Sequence, residues 1–182
     1  EMPSMSCNRQ ALRAAILAAT RLTLADLFAA HHDERFYYIA LITTGEGHTP
    51  FLTAWSREAL ARESTKQGCA PEEIKWSYAD SPYDILGEEH FAEVGRLLAV
   101  RNEMLGINDN GDWSSELDLR LEAMTEALAQ LDAEGIFGTD EKRLELVLNV
   151  EVTPPDLTNT ERALRLNPKE ALVEWLAEAG EV

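Results

Sequence analysis

Between Leu144 and Val152 the chain alternates. Leu144, Leu146, Leu148, Val150 and Val152 are separated by Glu145, Val147, Asn149 and Glu151, and Pro154-Pro155 closes the run. Successive side chains of an extended strand point to opposite faces, so the pattern predicts a strand with one face on a core and one near solvent. One-sided burial of that kind is the habit of antiparallel sheets.

A second extended segment, Arg35 to Thr44, is aromatic and β-branched on both faces, which predicts a central strand covered by helices. Gly45-Glu46-Gly47-His48-Thr49-Pro50 turns the chain, and Phe51 to Trp55 reads as its hairpin partner. Ile74 to Tyr78 reads as a third, short strand, broken by Asp80-Ser81-Pro82-Tyr83.

Helices fill the rest. Leu12, Ile16, Ala19, Leu22 and Leu27 form a stripe over residues 8–30. Ser56 is placed to cap a helix over residues 57–66, and Gly68 to end it. A helix is expected over residues 88–102, with Phe91, Val94, Leu97 and Leu98 facing inward. The clearest helix starts at Ser114 or Ser115, carries Leu117, Leu121, Met124, Leu128 and Leu131, and stops at Gly135. Asn167-Pro168 opens a last helix to about Ala179, burying Leu172, Leu176 and Trp175. This order makes no regular strand–helix–strand units. It predicts one α+β domain over residues 1–182, a small antiparallel sheet of three to four strands packed by several helices. Residues 1–4 read as a cloning remnant or disordered.

Charge is distributed unevenly. Residues 1–71 hold 7 acidic and 7 basic residues, residues 72–141 hold 18 against 4, and residues 142–182 hold 8 against 5, for a net −17. A field of that sign repels nucleic acid and anionic membrane and speeds encounter with basic surfaces. The apolar run Ala14 to Ala19 is too short to cross a membrane. Cys7 and Cys69 make no disulfide framework and suit a reducing cytoplasm.

No catalytic or cofactor motif emerges. Gly45-Glu46-Gly47 lacks the third glycine of a phosphate loop. His31, His32, His48 and His90 show no zinc spacing, so no metal is expected. Aligned on Gly111, a calcium loop would need Gly106 and Leu117 as its first and last ligands, and neither can serve. Acids are too abundant for any pair to mark a catalytic site.

One pattern stands against simple solvation. Asp118, Glu122 and Glu126 recur at steps of four on one helix, a like-charge arrangement that costs a few tenths of a kcal/mol per pair. Together with Asp80, Asp84, Asp109, Asp112 and an exposed Trp113 they form the expected acidic binding surface.

Phe36 to Thr44, Trp76, Glu134-Gly135-Ile136-Phe137-Gly138, Arg143 and Leu166-Asn167-Pro168 resemble the bacterial domain-of-unknown-function family 4303 over nearly the whole chain. The shared pieces are structural punctuation, and no catalytic residues carry over. Such families often sit beside polymorphic toxin genes and are read as immunity proteins. The resemblance therefore implies a cytoplasmic inhibitor that occludes a cognate toxin. The alternatives are a hydrolase that reverses a toxin's modification and an acidic regulator that mimics nucleic acid.

Overall fold

The computed structural model describes residues 5–105 and 113–182, with side chains from residue 9 onward. In chain order the elements are α1 (Met5–Ala30), β1 (Phe36–Thr44), β2 (Phe51–Ser56), α2 (Arg57–Gln67), α3 (Pro71–Ile74), a 3-10 turn (Tyr78–Asp80), β3 (Tyr83–Leu86) and α4 (Ala92–Met104). Then come α5 (Trp113–Ala133), α6 (Asp140–Arg143), β4 (Val147–Thr153), α7 (Leu157–Leu166), a second 3-10 turn (Lys169–Leu172) and α8 (Val173–Glu178). The class is α+β, with one four-stranded sheet in the order β3-β2-β1-β4.

The sheet is mixed rather than purely antiparallel. β2 pairs antiparallel with β1 and β3, but β4 runs parallel to β1, with Tyr38 opposite Val147 and Ile42 opposite Glu151. The alternation predicts one face of β4 near solvent, yet Val147, Leu148, Asn149 and Val150 are all buried. Both faces are covered, one by the helical layer through α5 and the other by the segment 75–81, as is usual where strands run parallel. The apolar series also begins outside the strand, with Leu144 exposed.

Pleat and register put Tyr38, Ile42, Phe51, Trp55, Asn149 and Glu151 on one face and Ile39, Leu41, Leu52, Leu148 and Val150 on the other. The first face is covered by the irregular segment 75–81. Trp76 packs edge-on to Tyr38, Tyr78 packs on Phe51, and Trp55 Nε1 donates to the Ser77 carbonyl at 2.9 Å. The helical layer of α1, α4 and α5 lies against the rest, α1 packing on both other helices and α5 on β4.

Several local expectations hold. Ser56 Oγ accepts from the Ala59 amide at the start of α2, and Gly68 closes that helix in the left-handed region. Leu12, Ile16, Ala19 and Leu27 are buried on α1, whereas Leu22 is exposed and Leu24 takes its place inward. Trp175 and Leu172 are buried, but Leu176 is not. The expected strand at residues 74–78 is instead the end of α3 and an irregular segment, and the third strand is Tyr83–Leu86. Ser81, read as a breaker, anchors it: Ser81 Oγ donates to the Ala54 carbonyl and accepts from the Tyr83 amide.

Candidate functional site

The two edge strands differ in what lies beyond them. Outside β4 lies α7, capped by Asp156, whose Oδ1 accepts from the Thr158 amide at 2.9 Å. Asn167 accepts from the Leu148 amide at 2.9 Å and donates to the Leu148 carbonyl at 2.7 Å. Arg162 Nε donates to the Val150 carbonyl at 2.7 Å. Asn159 accepts from the Val152 amide at 2.8 Å and donates to the Val152 carbonyl at 3.1 Å. Residues 148, 150 and 152 share one edge of the strand, so three side chains stand in for a fifth strand.

The punctuation noted in the sequence serves this closure. Gly135 and Gly138, both at positive φ, turn the chain out of α5. Arg143 Nε then donates to Asp132 at 2.7 Å, and its NH2 donates to the Leu166 carbonyl and to Asn167 Oδ1, each at 3.0 Å.

At the opposite edge β3 has one strand neighbour, β2. It is short, follows an exposed Pro82, and exposes half of Ile85. Asp84 Oδ1 accepts from the Ile85 amide at 2.9 Å. Shortness, proline and charge are the usual means of keeping an edge from pairing with itself. Around it the segment 72–89 carries Glu72, Glu73, Asp80, Asp84, Glu88 and Glu89. None of these has a Lys or Arg partner among the described residues, and Glu89 Oε1 lies 3.6 Å from His90 Nε2.

The predicted acidic stripe behaves differently. Glu122 is held by both terminal nitrogens of Arg165 at 2.8 and 2.9 Å. Glu126 accepts from Arg9 at 2.7 Å and faces Arg13 at 3.3 Å. The like-charge cost read from the spacing is thus offset by arginines from α1 and α7, distant in sequence, and of the three Asp118 is exposed and has no ion-pair partner among the described residues. Trp113 is half-buried, donating to the Gly45 carbonyl at 3.1 Å with the Arg120 guanidinium 5.1 Å from its ring centre. Asp109 and Asp112, with the rest of the expected loop at 106–112, lie outside the described residues, as do residues 1–4. The stripe on α5 and the β3 segment do not form one continuous run: α5 packs on β4, the opposite edge of the sheet.

Two buried ionic knots support the frame. Glu116 accepts from Arg101 at 2.7 Å through both oxygens and from Arg120 Nε at 2.9 Å, and Arg120 NH1 donates to the Gly47 carbonyl. Burial pushes the Glu116 carboxyl up, but the two guanidinium groups more than offset this and hold it below the usual carboxylate range. Glu34 accepts from Ser56 Oγ at 2.5 Å, Tyr83 OH at 2.6 Å and Arg62 at 3.1 Å, and His31 Nδ1 lies 2.8 Å away. Burial again opposes these bonds, which hold Glu34 low, while desolvation and that carboxylate push Tyr83 up to about 12. Tyr83 thereby ties the open edge strand to the end of α1. His31 and Tyr83 line a cavity of about 210 Å³ whose rim includes Asp26 and Glu89.

Sequence reasoning missed the roles of Glu34, Tyr83, Asn159 and Arg162. It also assigned no metal ligands, and among the described residues one trio, Asp26, Glu89 and His90, brings its ligand atoms within 4.8 Å of one another. Asp26 and His90 are 64 positions apart, so spacing alone could not pair them. No helix among the described residues is long and apolar enough to cross a membrane.

The model of the family described as "Domain of unknown function (DUF4303)" matches residues 16–168. The chain belongs to that family. No curated protein and no solved structure matches it. The matched span of this DUF4303 chain runs from the middle of α1 to the Asn167-Pro168 turn. It therefore contains the whole sheet, both edges and the side chains that close β4.

Proposed function

We propose that this chain is a cytoplasmic immunity protein that binds a basic domain of a cognate bacterial toxin and occludes its active site, and is not itself an enzyme. The observation that carries this reading is the run of carboxylates around an open edge strand, Glu72 to Glu89, that have no Lys or Arg partner among the described residues. Several of the chain's cations are already engaged: Arg9 and Arg13 by Glu126, Arg165 by Glu122, Arg21 by Glu134 and Arg35 by Glu58. The field that remains is negative, and the carboxylates beside β3 contribute to it. It speeds association with a basic partner, and the neutralised stripe on α5 adds little to it.

Asp80 and Asp84 keep the binding role expected of them. Glu122 and Glu126 act instead in holding α1, α5 and α7 together. The test is co-expression with the neighbouring toxin domain. Reversal of Asp80, Asp84 and Glu88 to lysine should abolish protection of the cells, and reversal of Asp118 alone should not. Full protection by the first variant would remove β3 from the interface.

A hydrolase is the second reading, favoured by one observation. A carboxylate on His31 Nδ1 orients the ring as in general-base dyads, and His31 lines a cavity. Under that reading His31→Ala abolishes protection while the partner still binds. Under the inhibitor reading His31→Ala protects as well as the parent chain.

A further inference from the structure

A cavity of about 230 Å³ opens where the parallel strands β1 and β4 end, a position at which sheets with parallel strands commonly receive ligands. Its walls include the indoles of Trp76 and Trp175 and the phenol of Tyr78, and its polar lining includes Glu151 and Glu181. It adjoins the acidic run directly, since Tyr78 begins the turn that ends at Asp80.

Behind the lining residue Glu151 one buried acceptor is unsatisfied. Asn149 is fully buried, and its Nδ2 donates to Glu151 Oε1 at 3.2 Å and to the Asn159 carbonyl at 3.1 Å, while its Oδ1 has no donor. Arg162, the cation nearest in sequence on α7, is committed elsewhere, through Nε to the Val150 carbonyl and through NH2 to Asn159 Oδ1. Among the described residues no Lys or Arg forms an ion pair with Glu151. The site thus combines aromatic residues in its lining with a carboxyl that Tyr38 and Asn149 hydrogen-bond but that no Lys or Arg pairs among the described residues. A lysine ammonium is compact and strongly hydrated. A guanidinium is planar, stacks on indole, and offers five donors and no acceptor.

We propose that this cavity receives one arginine side chain of the partner, its guanidinium stacked on the tryptophans and paired with Glu151. The occupant rests on the inhibitor reading, and it gives the acidic surface an anchor of the type that dominates interface energetics. Burial pushes the Glu151 carboxyl above its ordinary range against the opposing effects of Tyr38, Asn149 and Arg162. Glu181 adds a further negative charge at the lining. Arginine binding therefore strengthens as pH rises through the Glu151 titration, because only the ionised carboxylate forms the pair.

The experiment uses N-acetyl-L-arginine amide as probe and the full chain, without any partner, so its failure leaves the co-expression result standing. Tryptophan fluorescence and indole N–H shifts should change saturably, with a dissociation constant on the order of a few millimolar. N-acetyl-L-citrulline amide, the neutral analogue, should show no saturable binding. Glu151→Gln, with its thermal midpoint checked, should weaken the arginine probe about tenfold. Glu181→Gln, at an exposed position, should weaken it less. No saturable change up to ~100 mM probe, equal binding of the citrulline amide, or an unchanged constant in Glu151→Gln overturns the proposal. Equal affinity for N-acetyl-L-lysine amide overturns the assignment to guanidinium.

Discussion

Along β4 the outer amides and carbonyls of Leu148 and Val152, and the carbonyl of Val150, are met by Asn167, Asn159 and Arg162, whereas β3 at the other end of the sheet meets β2 and no further strand. Both are edge strands, and both face the hazard of pairing with another chain. The β4 edge removes the hazard by satisfying its backbone with buried side chains. The β3 edge deflects it with shortness, Pro82 and surrounding negative charge. The first solution is rigid and serves stability. The second leaves a surface accessible and selects what can approach it, admitting basic partners and repelling acidic ones. Function is therefore sought at β3 and stability at β4, and variants at the two edges should separate cleanly.

The largest effect is expected at the closed edge. Asn167→Ala strands the amide and carbonyl of Leu148 and removes one acceptor from Arg143, and a buried unsatisfied group costs ~1–3 kcal/mol. Urea unfolding should show a loss of about 3 kcal/mol. A loss well under 1 kcal/mol would mean that water or relaxation replaces the side chain and that the edge is not closed as described.

At the open edge the expected effect is on binding. Asp80→Lys, Asp84→Lys and Glu88→Lys together should lower affinity for the basic partner by roughly tenfold or more, mainly through slower association at low salt. The thermal midpoint should stay within about 2 °C of the parent chain, since exposed charges of this kind contribute little to folding. Unfolding of this variant would show that the β3 edge is structural after all.

A smaller effect comes from the face between the edges. Glu151 has a folded-state pKa raised above its unfolded value, so its contribution to stability is full below the unfolded value and is lost as pH rises through the folded one. Glu151→Gln removes that loss. Calorimetry should show the variant gaining about 2–4 °C at pH 7 and nothing near pH 4. Glu34 and Glu116 have the opposite sign, with lowered folded values, so the parent chain loses their contribution as pH falls below the ordinary carboxylate range.

The smallest effect belongs to the stripe on α5. Glu122→Ala and Glu126→Ala remove half-exposed ion pairs and should each cost less than about 0.5 kcal/mol with unchanged partner affinity. A drop in affinity matching that of the β3 variant would extend the interface across α5.

How legible these regions were in the sequence follows from the kind of group that each one buries. Helices α1 and α5 bury leucines, isoleucine and methionine at helical spacing, so periodicity found them. The capped helix α2 was equally plain, because Ser56 and Gly68 mark its ends. Helix α7 buries Asn159, Thr160 and Arg162 beside only two apolar residues, Ala163 and Leu166, so its inward face is mostly polar and weakly legible, although Asp156 after Pro155 is a usable cap signal. The direction of β4 was misjudged because alternation of leucine with polar residues normally means a wet face. Here Asn149 and Glu151 point into a buried polar layer instead. At the candidate site, acids were visible but their partners were not. Glu122 and Arg165 are 43 positions apart and Glu126 and Arg9 are 117 apart, and only the fold separates neutralised acids from free ones.

The central claim is that the open acidic edge meets the partner. Amide hydrogen exchange on the purified chain, alone and in complex with a basic partner protein recovered by affinity purification, tests this directly. Protection on binding is predicted for residues 74–90, with the amides of Leu148 and Val152 unchanged because they are already closed. Protection confined to residues 114–126, with β3 exchanging as in the free chain, would contradict the account.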